Sequence, residues 1–389
     1  MNCPSIFNDV IGPVMRGPSS SHCAAALRIG RLCRDLMDGR IEDVLIEFDP
    51  KGSLATTHDG HGSDMGLFGG LLGWEAFDDR LPESEKAIQE AGIDITIDIV
   101  DIGFSHPNTY KITLKNDEET RQVVAISTGG GMIEVIEIDG ASVSMAGDYF
   151  ETLVYVHSET DVLELIEASV ECDEVGLREG SAPFVEIKSQ AFPSDEIFAQ
   201  LRAMDDVIAV KMLSPVLPVL SRENLEVPFT NCEEMLEYNK DKGLELWELA
   251  VRYESARGNI AGEEVFAKME EIVGIMRASI NRGLEGTVYA DRILGSQSVN
   301  FERQMKSKKL IEGDVLNRVI MFVTAMMEVK SSMGVIVAAP TAGSCGALPG
   351  AILGVALNQS EDDAVRAMLA AGIIGVFIST GATFAAEVG

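Results

Sequence analysis

Apolar and polar side chains alternate at Val44, Ile46 and Phe48, at Ile93, Ile95, Ile97 and Ile99, and again at Tyr110, Ile112 and Leu114, the period of half-buried strands. Residues 123–128 and 132–138 form two more β-rich runs, separated by Gly129, Gly130 and Gly131. Ahead of them Leu27, Leu32 and Leu36 recur at helical spacing within residues 23–37, behind a loop of Ser19, Ser20 and Ser21 suited to opening a helix. The pattern predicts a mixed α+β domain over residues 1–150.

From residue 151 the order becomes strand 152–157, helix 160–169, strands 174–177 and 184–189, helix 195–203 and strand 207–213, the split βαβ order of a ferredoxin-like unit. Ser158 with Asp161, and Ser194 before its acidic first turn, supply helix starts. A linker holding Pro215, Pro218 and Pro228 closes this unit, and residues 233–257, 262–282 and 314–333 then run without proline as helices. The expected fold class is α+β multidomain: an α+β N-terminal domain (1–150), a ferredoxin-like middle domain (151–222) and a mostly α-helical C-terminal domain (223–389).

Composition narrows the function classes. Sixty-two acidic residues against 31 basic ones give a net charge of -31, a surface that repels nucleic-acid phosphates and anionic membranes. Residues 1–13 lack a basic segment followed by an apolar run, so no signal peptide is expected and the cytoplasm is the default compartment. Six cysteines without a C-x-x-C pair read as thiols of a reducing compartment, most of them in the core. Residues 367–386 carry no charge, but their Gly, Ala, Ser and Thr content and lack of basic or aromatic flanks read as a buried helix rather than a membrane span.

Four segments could carry chemistry. Gly17-Pro18-Ser19-Ser20-Ser21-His22 at a helix start offers N–H groups and hydroxyls to a carboxylate or phosphate, or is simply a serine-rich cap. Thr57-His58-Asp59-Gly60-His61-Gly62-Ser63-Asp64 crowds two histidines and two acids beside flexible glycines, as proton transfer requires, or as metal binding would, ranked lower because local spacing shows no third zinc ligand, or forms a solvated polar turn. In Ser105-His106-Pro107-Asn108-Thr109 a stiff turn presents an amide that both donates and accepts. The fourth, residues 337–350, sets Cys345 between glycines just before an apolar helix, whose N-terminus would lower the thiol pKa and suit a nucleophile or a metal ligand, against the bland alternative of a buried structural thiol.

Taken together, the G-P-S-S-S-H segment, the H-x-G-H-G loop, the H-P-N-T turn, Met276-Arg277-Ala278-Ser279, Glu328-Val329-Lys330 with Met333-Gly334, and above all A-A-P-T-A-G-S-C-G-A-L-P-G at 338–350 resemble the iron–sulfur-dependent L-serine dehydratase (L-serine ammonia-lyase) family. Residues 152–213 resemble the ACT-type regulatory module found with some members. The resemblance implies a lyase converting L-serine to pyruvate and ammonium. It also implies a [4Fe-4S] cluster on three cysteines, its open iron acting as Lewis acid. Cys345 would be one cluster ligand, and Ser19, Ser20, Ser21, Asn108 and Thr341 would line the substrate site. His61 or His22 is inferred as the acid–base group, because imidazole titrates near neutral pH. Cys23 stands where the family is expected to have threonine.

The family is expected to continue past Gly389 into a segment with further cluster cysteines. That makes this chain on its own an incomplete enzyme, a fragment, or half of a split one completed by a separate chain. A homodimer is also expected. The alternative is a non-catalytic amino-acid-binding or regulatory protein. A pyridoxal-phosphate enzyme would need a Schiff-base lysine, and Lys306, Lys308 and Lys309 sit in a solvated charged run.

Overall fold

The computed structural model describes residues 3–157, 160–288, 294–356 and 360–382. It divides into two compact units that interleave along the chain. One takes residues 3–24, 76–79 and the described residues from 225 onward; the other takes 25–75 and 80–224. The elements give the multidomain α+β class expected from the sequence, a sheet-rich N-terminal part followed by a helical C-terminal region.

The sheet unit contains a six-stranded sheet in the order Asp94–Ile99, Asp43–Phe48, Thr109–Lys115, Thr120–Gly129, Met132–Ile138, Ala141–Met145. Its first pair is parallel and the rest antiparallel. Gly129, Gly130 and Gly131 all take left-handed backbone angles, so the triple glycine is the turn of a hairpin, where side chains would be strained. The helix Ala25–Leu36 packs on Ser63–Leu71 at Gly30 and Gly70. A Cβ on Gly70 would sit 2.1 Å from the Leu27 carbonyl oxygen, so only glycine permits this approach.

A second sheet of the same unit runs Val207–Leu213, Phe150–Val156, Phe184–Ser189, Glu174–Arg178, antiparallel throughout, with helices Thr160–Ser169 and Asp195–Arg202 in a strand-helix-strand-strand-helix-strand order. Alternation explains how one strand serves two cores. Val154 and Val156 point into a cluster with Val162, Ile166, Val185, Ile187 and Leu201, whereas Leu153, Tyr155 and Phe184 join the large core that includes Ile46, Tyr110 and Ile112 of the six-stranded sheet. Ser194 accepts from the Ile197 N–H as the expected cap; Ser158 lies outside the described residues.

In the helical unit the expected helix 233–257 is two helices, Cys232–Asn239 and Leu246–Gly258. The break falls at Lys240-Asp241-Lys242-Gly243, where Gly243 is left-handed. There Asn239 closes the turn by binding both the N–H and the carbonyl of Leu244 at 2.9 Å. Helices Gly262–Glu285, Ser298–Lys306, Asp314–Ser331, Ala347–Val355 and Glu361–Ser379 follow. Much of the uncharged stretch lies in the last of these, which buries Met368, Leu369, Gly372, Ile373 and Val376. Among the described residues no helix is long and apolar enough to cross a membrane.

All six cysteines are free, with Cys23, Cys33 and Cys345 buried, Cys3 and Cys172 half-buried and Cys232 exposed. Half of them, rather than most, are core thiols.

Candidate functional site

In the helical unit a short antiparallel ribbon brings distant segments together: Val14–Arg16 pairs with Val335–Val337, Arg16 opposite Val335. Arg16 fixes it further by donating to the Met333 carbonyl at 2.7 Å and to the Asp78 carbonyl at 2.8 Å. The serine loop that follows Arg16 therefore lies beside the segment that follows Val337. Ala342 N–H donates to the Ser20 hydroxyl at 3.3 Å. Gly17 backs directly onto the end of helix Asp314–Ser331, where a Cβ would meet the Lys330 carbonyl oxygen at 2.7 Å.

Ser20–Ala24 form one widely wound turn that leads into helix Ala25–Leu36, so its residues are buried rather than looped out. His22 is 5% exposed, with Nδ1 at 3.2 Å from the hydroxyls of both Ser19 and Ser21. Its neighbour Cys23 is a core thiol, pushed up to about 12 by burial.

Thr341 caps the turn Ala342–Ser344, its hydroxyl accepting from the Ser344 N–H at 3.2 Å. Cys345 follows, with Sγ 3.9 Å from the Met327 sulfur. Burial acts on this thiol against the lowering expected from a helix N-terminus. Burial pushes it up to about 12, and the Lys330 ammonium only partly opposes that.

In the sheet unit the His58–Asp64 loop is ordered by its own backbone, with Ser63 N–H and Asp64 N–H both donating to the His58 carbonyl. His58 Nδ1 lies 2.6 Å from Asp64 Oδ2, and its ring packs 5.3 Å from that of Phe48. Burial raises the Asp64 carboxyl pKa while the His58 hydrogen bond lowers it, and its second oxygen is buried without a partner. His61 stands exposed on the turn between helices Leu54–Thr57 and Ser63–Leu71. The fixed imidazole–carboxylate pair is thus His58 with Asp64, a pairing across Gly60 and Gly62 that no helical or strand spacing signals.

Asn108 is fully buried at the start of strand Thr109–Lys115. Its Oδ1 accepts from the Ser53 hydroxyl, its N–H donates to His106 Nδ1 at 3.2 Å, and its Nδ2 has no partner. Burial lowers the His106 pKa, which suits its role as a neutral acceptor. Among the described residues that amide donor is unpaired in the interior, a condition that costs about 1–3 kcal/mol.

Among the described residues no group of three or more His, Cys, Asp or Glu side chains could hold a metal ion. The described residues by themselves therefore do not fit a three-thiolate cluster.

The family model described as serine dehydratase beta chain matches residues 9–137, and that described as serine dehydratase alpha chain matches residues 241–389. A relative named probable L-serine dehydratase, beta chain, from Bacillus subtilis is 35% identical over 223 residues, covering 55% of this chain and 100% of the relative. The alpha chain of the same name and organism is 28% identical over 41% of this chain and 54% of its own length. A Streptomyces coelicolor protein named L-serine dehydratase aligns over 96% of this chain and 72% of its own length at 24% identity. These matches define an enzyme of the lyase class with both regions on one polypeptide. The chain belongs to the serine dehydratase family.

Proposed function

We propose that this chain acts on L-serine, eliminating water to give an aminoacrylate that tautomerises and hydrolyses to pyruvate and ammonium. The observation that carries the reading is the hydrogen bond from Ala342 N–H to Ser20 Oγ, which holds the serine loop against the Thr341–Cys345 segment. Within that unit the Ser19, Ser20 and Ser21 hydroxyls and Thr341 bind the substrate's polar groups. His22, oriented at Nδ1 by two hydroxyls, is one candidate for proton transfer. The sheet unit, taken by itself, offers Asn108 Nδ2 as a substrate-binding candidate and exposed His61 as the other proton-transfer candidate. The reading includes a [4Fe-4S] cluster with Cys345 as one ligand, the others coming from outside the described residues. Association with a second copy, or with a separate chain that brings further cysteines, belongs to the same proposal.

The test is anaerobic purification, reconstitution with iron and sulfide, and measurement of pyruvate from L-serine together with the visible absorption of the cluster. Pyruvate that depends on iron and sulfide supports the reading. A chain that stays silent even when a partner or extension supplies further cysteines overturns it. In an active preparation Asn108→Asp keeps the acceptor for Ser53 but turns the orphan donor into an acceptor. The KM for L-serine is expected to rise about tenfold, the ~1.4 kcal/mol of one lost hydrogen bond, and steady-state kinetics with a melting curve as control would check it.

A further inference from the structure

We propose that Lys330 is the cation that receives the α-carboxylate of the amino-acid substrate, an inference that rests on the reading above and sharpens it. Lys330 occupies the last turn of helix Asp314–Ser331 and is half-buried. Among the described residues its ammonium makes no hydrogen bond and no ion pair, in a chain whose acidic residues outnumber the basic ones 62 to 31. Most other half-buried or buried lysines here have found carboxylates: Lys211 reaches Asp38 and Glu119 at 2.8 and 2.5 Å, Lys188 reaches Glu174 at 3.3 Å, and Lys111 reaches Glu47 at 2.9 Å. A charge drawn partly out of water without a counter-ion is unfavourable, so the missing carboxylate is expected from a ligand.

The position of Lys330 says which ligand. Its Cγ would lie 3.2 Å, and its carbonyl oxygen 2.7 Å, from a Cβ on Gly17, so the lysine stem runs along the first residue of the serine loop. Its charge also acts on the buried Cys345 thiol. The segments it faces, residues 17–22 and 338–346, contain no acidic side chain. The two segments that Lys330 adjoins carry the Ser19, Ser20, Ser21 and Thr341 hydroxyls, and one cation together with hydroxyls is a set complementary to a carboxylate on a small hydroxylated molecule.

L-serine and L-serinol, which replaces the carboxylate by a second hydroxymethyl group, separate the outcomes. In the parent chain, L-serine and not L-serinol is expected to raise the melting temperature and to protect Lys330 from reductive methylation, read by mass spectrometry of the lysine peptides. In Lys330→Met the Kd for L-serine is expected to rise roughly ten- to a hundredfold, the preference over L-serinol should vanish, and Lys330→Arg should restore part of it. Equal methylation of Lys330 with and without L-serine, or a Lys330→Met chain that keeps the serine preference, overturns the assignment while leaving the serine reading intact. A parent chain that binds neither compound sinks both. The methylation arm needs no variant, so a misfolded substitution leaves the assignment open to refutation.

Discussion

A chain carrying Gly350→Val is expected to lose about 3 kcal/mol of stability and to melt roughly 6–12 °C below the parent, with the loss centred on the helical unit. Helix Ala347–Val355 meets helix Asp314–Ser331 through Gly346, Gly350 and Gly354, spaced four residues apart on one face. A Cβ on Gly350 would lie 2.5 Å from the Val323 Cγ2 and 2.9 Å from the Val323 backbone nitrogen. A side-chain methyl can turn aside, but helix backbone cannot, so the two helices must separate and the packing around Cys345 loosens with them. Gly274→Ala is the matched control. Gly274 is exposed in the interior of helix Gly262–Glu285 with nothing within 4 Å of its would-be Cβ, and this change should stabilise by about 0.5–1 kcal/mol. Thermal melts of the two variants beside the parent decide the matter, and a Gly350→Val melt within a degree of the parent would contradict the account.

The second large effect concerns Glu254, fully buried on helix Leu246–Gly258 and raised by burial from the usual 4.5 to about 7, against the lowering effect of bonds from Ser5 and Ile6. The Ser5 hydroxyl and the Ile6 N–H, the latter at 2.8 Å, both donate to its carboxylate. Because the folded chain holds this proton more tightly than the unfolded chain does, the contribution to stability is complete below about pH 4.5 and is lost as pH rises through 7. At ~1.4 kcal/mol per unit, the loss across that window is about 3 kcal/mol. Glu254→Gln retains one acceptor and removes the titration. The stability difference between parent and variant should therefore change by about 3 kcal/mol between pH 4.5 and 7.5 in the variant's favour, and then stay level. Denaturant titrations at four or five pH values would measure it; a difference independent of pH would show that Glu254 is ionised in the folded chain throughout. Asp64, Glu151 and Glu186 are raised by burial too, so only the comparison with the variant isolates Glu254.

Much of the fold was legible because the governing signals are local. Strand alternation at Val44 to Phe48 and Tyr110 to Leu114, the strand-helix order of residues 152–213 and the proline-free helical runs 262–282 and 314–333 survive in the structure. The break at residues 240–243 was missed because its signal is one glycine and one asparagine inside an otherwise helical composition. The site was legible as a set of segments and illegible as geometry. The His58–Asp64 pair depends on how a glycine turn folds back. The burial of Cys345 depends on Met327 and Val323 from another helix packing against Gly346, which no local spacing signals. Lys330 was legible only as part of the Glu328-Val329-Lys330 run, and its lack of a carboxylate partner among the described residues depends on how the helices pack.

Residues 3–24 are fastened to the helical unit by the ribbon at Val14–Arg16, by Glu254 beneath Ser5 and Ile6, and by the Tyr253 hydroxyl on the Pro4 carbonyl at 2.9 Å. In this chain the first segment behaves as a dowel driven into a block that the polypeptide completes only 200 residues later. A nick near residue 224 would leave the two fragments pinned together by that dowel, and the same ribbon would become strand addition between polypeptides. On the intact chain the connection keeps the dowel at high effective concentration beside its socket, so each escape is quickly reversed.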